Sequence, residues 1–131
     1  MTRRGLIAAA SLLVLAPALA HAAEERKKGG GASFIQLPTL TATTLRPDGR
    51  RGVMTVEVGL DVADAGLHAR AAQSTPLLIA AYSEVVRTYA AGLPPGAPPN
   101  PDYLGLQLQR QTDTALGRPG ARLLLGAILI N

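Results

Sequence analysis

The chain has 131 residues, contains no cysteine and carries a formal net charge of +4. This length gives room for one modest hydrophobic core, and no disulfide can stabilise it. Aromatic residues make up 3% of the chain, and half of the net charge comes from two arginines near its start. These values exclude the basic, aromatic-rich surface that is typical of nucleic-acid-binding proteins.

Residues 1–22 have the pattern of a secretory signal peptide. Arg3 and Arg4 make a short basic segment, and residues 5–20 are almost wholly apolar. Small residues that a signal peptidase reads follow, namely Ala20, Ala22 and Ala23. We expect cleavage after Ala22 and release into an oxidising compartment outside the cytoplasm, which we interpret as a bacterial periplasm.

Two questions about this leader stay open from the sequence. The Arg3-Arg4 pair is similar to a twin-arginine export signal, whereas the apolar core also suits the general secretory route. An uncleaved leader would instead anchor the protein in the membrane. A spanning helix needs about 20 apolar residues, and residues 5–20 are fewer and include Pro17, which favours cleavage.

Residues 23–33 are predicted to be a flexible linker, because a charged run followed by glycines cannot bury apolar surface. A single domain is predicted over residues 34–131. It begins with residues 34–45, which are rich in threonine and aliphatic side chains. Pro38 lacks a backbone N–H and coincides with a phase shift of the apolar residues, so we expect a bulge or an edge position there.

Residues 53–62 alternate between apolar and polar side chains, which predicts a half-buried strand. The Pro-Asp-Gly sequence at positions 47–49 predicts a tight turn before it. The two strands should therefore form a hairpin.

Two helices are predicted after the hairpin. Asp64 is a suitable N-cap for the first, which should kink near Pro76 and continue to Ala90. Its apolar positions recur at helical spacing and are Leu67, Ala71, Leu78, Ala81, Tyr82, Val85 and Tyr89. The second helix is predicted over residues 103–116, with Asn100 or Asp102 as its cap and Gly117 as its end.

Between the helices, residues 92–101 hold half of the ten prolines of the chain. A segment so poor in backbone donors is predicted to be extended and exposed. It suits a semi-rigid connector, and the alternative is a polyproline ligand for a partner domain.

Residues 123–130, LLLGAILI, predict a final strand that is covered on both faces, either by the helices or by another subunit. The sequence leaves open whether it pairs with the first or the second strand of the hairpin. The predicted fold class is thus α+β, with a small, mostly antiparallel sheet packed against two helices.

The residues that can carry out chemistry are separated from one another. His68 has no Cys, Asp or Glu three or four residues later, and it is predicted to be a solvated surface residue. The serines lie in no nucleophile motif, and Glu57 and Asp61 lie about 13 Å apart along a strand. We therefore expect no enzymatic activity, no cofactor and no metal.

Two surfaces are candidates for interaction. Arginines at the hairpin turn can meet an acidic partner or a lipid surface, and apolar side chains of the final strand can meet another subunit. The arginines are Arg46, Arg50 and Arg51, and the apolar residues are Leu123, Leu125 and Leu129.

From residue 34 to residue 131 the order of elements resembles one known family. The strand RGVMTVEVGLDV at residues 51–62, the acidic helix start at Asp64, the helix end at Leu116-Gly117 and the closing apolar strand resemble the periplasmic domain of the flagellar basal-body-associated FliL family. The resemblance implies a stomatin-like fold and assembly into rings around the flagellar stator. Known members have a transmembrane anchor where this chain has its leader.

The function expected from these observations is that of an exported, non-catalytic FliL-like accessory protein. It would associate with itself or dock on a membrane protein complex, without binding nucleic acid and with at most peripheral membrane contact. The alternative is a periplasmic module that binds a small apolar ligand between sheet and helices, near Tyr82 and Tyr89.

Overall fold

The structure, a computed structural model, describes residues 31–131. The predicted signal peptide, its cleavage site, the arginine pair and residues 23–30 of the linker lie outside these residues. The strands are β1 (Phe34–Gln36), β2 (Leu40–Leu45), β3 (Arg51–Val62) and β4 (Ala121–Ile130), and the helices are α1 (Ala65–Gln73), α2 (Thr75–Gly92) and α3 (Pro101–Leu116). The predicted α+β class is confirmed.

β3 lies at the centre of the sheet and pairs antiparallel with each of the other described strands. β1 and β2 follow one another along one edge of β3, where Leu40 lies opposite Val56. β4 occupies the other edge, where Leu123 lies opposite Leu60. The predicted hairpin is confirmed, the break between β1 and β2 falls at Pro38, and the final strand pairs with the second strand of the hairpin.

The alternation along β3 directs one face of the sheet into the core. The apolar residues that β3 contributes to this face are all buried, and they are Met54, Val56, Val58, Leu60 and Val62. α2 packs mainly on β2, α3 packs mainly on β4, and the two helices contact each other. We call this side the core face and the opposite side the outer face. Within residues 31–131 no helix covers the outer face.

The predicted kink between the helical segments is a complete break, so the domain has three helices rather than two. The N–H of Ser74 donates to the carbonyl oxygens of Arg70 and Ala71 and ends α1. Pro76 lies in the first turn of α2, where its missing N–H costs no helical hydrogen bond. The chain can therefore start a new helix here.

The buried stripe of α2 differs from the predicted one. Leu78, Tyr82, Val86 and Ala90 are buried at a spacing of four residues, whereas the predicted Val85 is half-buried. The helix is thus rotated so that Val86 faces the core. The sequence pattern could not distinguish these positions, because adjacent valines give both orientations an apolar face.

Asp64 caps α1 as predicted. Its carboxylate accepts from the N–H of Leu67 at 2.8 Å and from the guanidinium of Arg118 at 3.0 Å. These hydrogen bonds, the first above all, hold the pKa of Asp64 below its ordinary value. The ion pair with Arg118 links the start of α1 to the loop between α3 and β4.

The proline-rich connector is not extended throughout, which corrects the prediction. The N–H of Ala97 donates to the carbonyl oxygen of Pro94 at 3.0 Å, and Gly96 has φ +78°. Proline followed by glycine at the centre of four residues is the pattern of a type II turn. The connector then leads to Asn100, whose side chain caps α3 by accepting from the N–H of Tyr103.

A buried hydroxyl pair joins α2 to α3. Tyr82 is fully buried, and its hydroxyl bonds the Oγ1 of Thr112. The same Oγ1 lies 2.8 Å from the carbonyl oxygen of Leu108 and donates to it, so Tyr82 is the donor to Thr112. Burial raises the pKa of the Tyr82 hydroxyl, which keeps it protonated.

We expect Tyr82→Phe and Thr112→Val each to lower the free energy of unfolding by about 1–2 kcal/mol, because each removes one partner of a buried hydroxyl. The double variant should lose less than the sum, since it leaves neither hydroxyl unpaired. Urea denaturation measures the four values. Tyr103→Phe, at a half-exposed tyrosine on α3, should cost almost nothing, and additive losses would contradict the pairing.

Candidate functional site

The hydrogen-bonding pattern of the sheet decides which backbone groups of β4 are free. Val53 and Asn131 exchange both backbone hydrogen bonds, at 3.2 Å and 3.0 Å. Residues of an antiparallel strand alternate between bonding to the neighbouring strand and pointing away from it. Ile128 and Ile130 therefore direct their N–H and C=O groups away from β3, toward the open edge of the sheet.

A bulge interrupts β4 opposite Glu57. Gly126 and Ala127 both lie opposite this residue, because the register shifts between Val56 and Val58. The Glu57 side chain folds against the bulge, with its carboxylate 3.4 Å from the N–H of Ala127. A Cβ at position 126 would lie 3.0 Å from the Cβ of Glu57, so glycine makes this close approach possible.

The bulge divides the apolar residues that the sequence grouped as one interaction surface. Strict alternation would place Leu123, Leu125 and Leu129 on the same face. With one extra residue in the strand, Leu123 and Leu125 lie half-buried on the core face, and Ile128 joins them there. Leu129 lies on the outer face, opposite Thr55, with 57% of its surface exposed.

β4 is not covered on both sides, which corrects a second expectation. β1 and β2 occupy the other edge of β3, and among the described strands β4 pairs with β3 alone. It is therefore an edge strand. α3 covers only its core face, and Ile130 is 40% exposed near the end of the strand. Within residues 31–131, no helix packs on its outer face.

The side chain of Gln109, on α3, forms hydrogen bonds with the backbone in the first half of this edge. Its Oε1 accepts from the N–H of Leu123 at 2.8 Å, and its Nε2 donates to the carbonyl oxygen of Ala121 at 2.8 Å. The side-chain amide thus makes the two bonds that a peptide group of a neighbouring strand would make. A third bond, 3.0 Å from Nε2 to Asp113, keeps the amide in place.

The part of the edge beyond Gln109 is free of such bonds in the described chain. We call residues 125–130 the free half of β4. It contains neither charged residues nor proline, and its backbone groups at Ile128 and Ile130 face the open edge. A long, apolar, unprotected edge strand is a template for pairing with another strand.

An apolar strip on the outer face lies at the same end of the sheet. Leu45, Val53 and Leu129 are about half exposed. The register places Val53 diagonally from both Leu45 and Leu129, within reach of their side chains. The free half of β4 and this strip therefore form one continuous apolar region.

The three arginines of the turn are exposed, and they occupy different positions. Arg46 approaches Asp48 to 3.8 Å, and the N–H of Arg50 donates to the same carboxylate at 2.9 Å. Arg51 begins β3 opposite Leu45, on the outer face beside the apolar strip. The six predicted interaction residues are thus spread over the turn, the core face and the outer face.

Residues 31–131 contain no group of three or more His, Asp or Glu side chains placed to hold a metal ion. Across the same residues, no helix is sufficiently long and apolar for a membrane span.

His68 is half-buried, with its Nε2 buried and without a hydrogen-bond partner, so the prediction of a solvated residue is wrong. It directly follows Leu67, which anchors the buried side of α1.

No protein-family model matches this sequence, and no curated protein matches it. The resemblance to the FliL family therefore rests on the order and apolar patterning of the elements.

The role of Gln109 was not predicted from the sequence, because a glutamine on an amphipathic helix carries no local signal of its partner.

We expect Gln109→Leu to speed hydrogen exchange of the Leu123 amide and to lower the free energy of unfolding by about 1–2 kcal/mol. Gln111→Leu, on the same helix, is the matched control. Exchange measured by NMR would refute the role of Gln109 if the Leu123 amide stayed equally protected in both variants.

Proposed function

We propose that this protein is an exported, non-catalytic accessory protein of FliL type that associates with copies of itself. The observation that carries the assembly is the free half of β4. There the chain combines unpaired backbone donors and acceptors with apolar side chains on both faces. The signal-peptide pattern of residues 1–22 supports export, and the order of the elements supports the likeness to FliL domains.

A second copy of the chain is the partner that best fits this edge. Two identical antiparallel strands related by a two-fold axis present the same residues to each other. Apolar side chains then meet apolar side chains on both faces, and the free groups of Ile128 and Ile130 supply the hydrogen bonds. This is strand addition to an exposed sheet edge, a common mode of protein recognition.

Gln109 restricts where the second copy can pair. Because its amide already occupies the backbone groups of Ala121 and Leu123, a partner strand has to use the residues that follow. A two-fold contact centred near Ile128 uses the free half of both strands. It also brings Leu129 and the apolar strip of one copy beside those of the other.

The alternative of a small apolar ligand near Tyr82 and Tyr89 finds less support. Tyr82 fills the space between sheet and helices with its own ring, and its hydroxyl is bonded to Thr112. The ring of Tyr89 stacks on Tyr103, with 5.8 Å between centroids, beside an open groove at the surface. We therefore prefer assembly as the function of this domain.

Export and processing are testable together by cell fractionation with N-terminal sequencing. We expect the mature protein in the soluble periplasm with Ala23 as its first residue. Replacing both Arg3 and Arg4 by lysine should block export if the twin-arginine route is used and leave it intact on the general secretory route. A protein retained in the cytoplasm with Met1 in place would contradict the proposal.

Leu129→Lys tests the assembly. A lysine on the free half of β4 should weaken self-association at least tenfold, because a charged edge disfavours strand pairing. Light scattering and sedimentation velocity on the exported protein measure it, and circular dichroism checks that the variant is folded. Leu77→Lys, at a leucine of equal exposure on α2, should leave association unchanged. A wild-type protein that stays monomeric at high micromolar concentration would contradict the proposal.

A further inference from the structure

Exposed apolar side chains are concentrated at one end of the outer face. Seven large hydrophobic side chains are exposed within residues 31–131, and three of them, Leu45, Val53 and Leu129, form the apolar strip. They belong to three different strands, so the strip runs across the sheet. Single exposed apolar residues are ordinary, whereas a contiguous group on one face indicates a contact surface.

Arginines of the hairpin turn border this strip. Arg51 lies opposite Leu45 on the outer face, and Arg46 and Arg50 precede it in the turn, where all three are exposed. Asp48 bonds within the turn, to the guanidinium of Arg46 and to the backbone N–H of Arg50. The positive charge of Arg51 therefore adjoins the apolar strip.

The acidic residues of β3 lie in the other half of the outer face. Glu57 folds against the bulge of β4, and Asp61 lies opposite Arg122. Roughly 13 Å along the strand separate Val53 from Glu57, and Asp61 lies further still. The outer face is thus polarised, with apolar and basic side chains at the turn end and acidic side chains from the bulge onward.

Pairing of two copies through β4 doubles this surface. Residues that lie opposite each other in an antiparallel sheet project to the same face, so the outer faces of both copies lie on one side of the joined sheet. A two-fold contact centred near Ile128 brings the two Leu129 side chains together in the middle. The arginines of the two turns then lie at opposite ends of one apolar stripe.

A partner for this surface has to be apolar where it meets the strip and anionic where it meets the arginines. An anionic bilayer has this chemistry, because its acyl chains lie directly beneath a layer of phosphate headgroups. Arginine suits this boundary, since its aliphatic stem packs on apolar surface while its guanidinium binds phosphate. A flat bilayer also contacts both ends of a two-fold stripe at once.

We propose that the outer face docks on an anionic phospholipid bilayer, with the apolar strip at the acyl boundary and the turn arginines at the phosphates. Three apolar side chains per copy reach only this boundary, so the contact is peripheral and reversible. The doubled stripe rests on the proposed self-association, whereas each copy carries one strip and one set of arginines by itself.

Cosedimentation of the exported full chain with lipid vesicles tests the proposal. We expect binding about tenfold or more tighter to phosphatidylcholine vesicles that contain roughly one third phosphatidylglycerol than to pure phosphatidylcholine vesicles. Binding should weaken as salt rises from about 0.05 M to about 0.5 M, because ions screen the arginines. No binding, or equal binding to both kinds of vesicle, would overturn the proposal.

Variants outside β4 separate lipid contact from assembly. Leu45→Ser and Arg51→Gln lie on β2 and β3, so each should weaken binding to the anionic vesicles about fivefold and leave self-association unchanged. The matched controls are Leu77→Ser, at a similarly exposed leucine on α2, and Arg122→Gln, on the outer face opposite Asp61. Each control should change vesicle binding less than about twofold. Circular dichroism checks that every variant is folded.

The pattern of losses identifies the partner. Weaker binding in Arg51→Gln with unchanged binding in Leu45→Ser would indicate attraction by charge alone, as an acidic protein also exerts, and would overturn the lipid contact. Equal losses in Arg51→Gln and Arg122→Gln would show that position on the outer face does not matter, which also overturns it.

A variant of the open edge makes the two proposals distinguishable. Ile130→Pro removes an N–H that β3 does not use and should prevent pairing, because proline blocks strand addition. It keeps the apolar strip, so it should bind anionic vesicles more weakly than the wild type, with the same dependence on Leu45 and Arg51. A monomeric wild type that binds vesicles through these residues would refute the assembly and support the lipid contact. A wild type that associates without binding vesicles would overturn the lipid contact alone.

Discussion

The rest of the domain depends on the hydrogen bonding of β3, the strand to which each other described strand is joined. Its core-facing residues are fully buried beneath the helices. The core face of the sheet is therefore centred on this one strand. The same arrangement makes β1, β2 and β4 edge strands. A small sheet of this kind cannot avoid free edges, and each edge has to be blocked, broken or paired.

The two edges of the sheet differ in how they are protected from pairing with another strand. Along β1 and β2, Pro38 breaks the edge, and threonines occupy two of the three exposed positions of β2. Along β4, Gln109 substitutes for a neighbouring strand over the first residues only. The bulge at Gly126 then changes the phase of the strand, and beyond it the edge is apolar and free. The proposed self-association follows from this unequal protection.

The region from Ile128 to Ile130 is central to the proposed contact between copies of the chain. Backbone groups of these residues face the open edge, while the side chains of Ile128 and Ile130 line an open groove beside the proline-rich connector. Unsatisfied groups therefore concentrate at one end of the sheet, where the Thr44 hydroxyl also lies against Gly52 without a hydrogen-bond partner. At this end the backbone groups and the apolar side chains of the free half of β4 are open to a partner strand.

Local chemistry was sufficient to predict the elements that depend on neighbours in the chain. The alternation of β3, the turn at Pro47 to Gly49, the cap at Asp64 and the helix end at Gly117 all follow from residues within a few positions of one another. Local periodicity is less decisive where several residue types suit the same position. For this reason the buried stripe of α2 and the break at Ser74 were predicted only in part.

The sequence by itself determined the α+β class, the hairpin, the helix caps and the leader pattern, because these depend on short-range backbone and side-chain preferences. Only the tertiary structure decided the partner of β4, the faces of Leu125 and Leu129, the role of Gln109 and the surroundings of Thr44. Each of these depends on contacts between residues far apart in the chain. A one-residue bulge or a helix placed over a strand edge leaves no periodic signal in the residues that it affects.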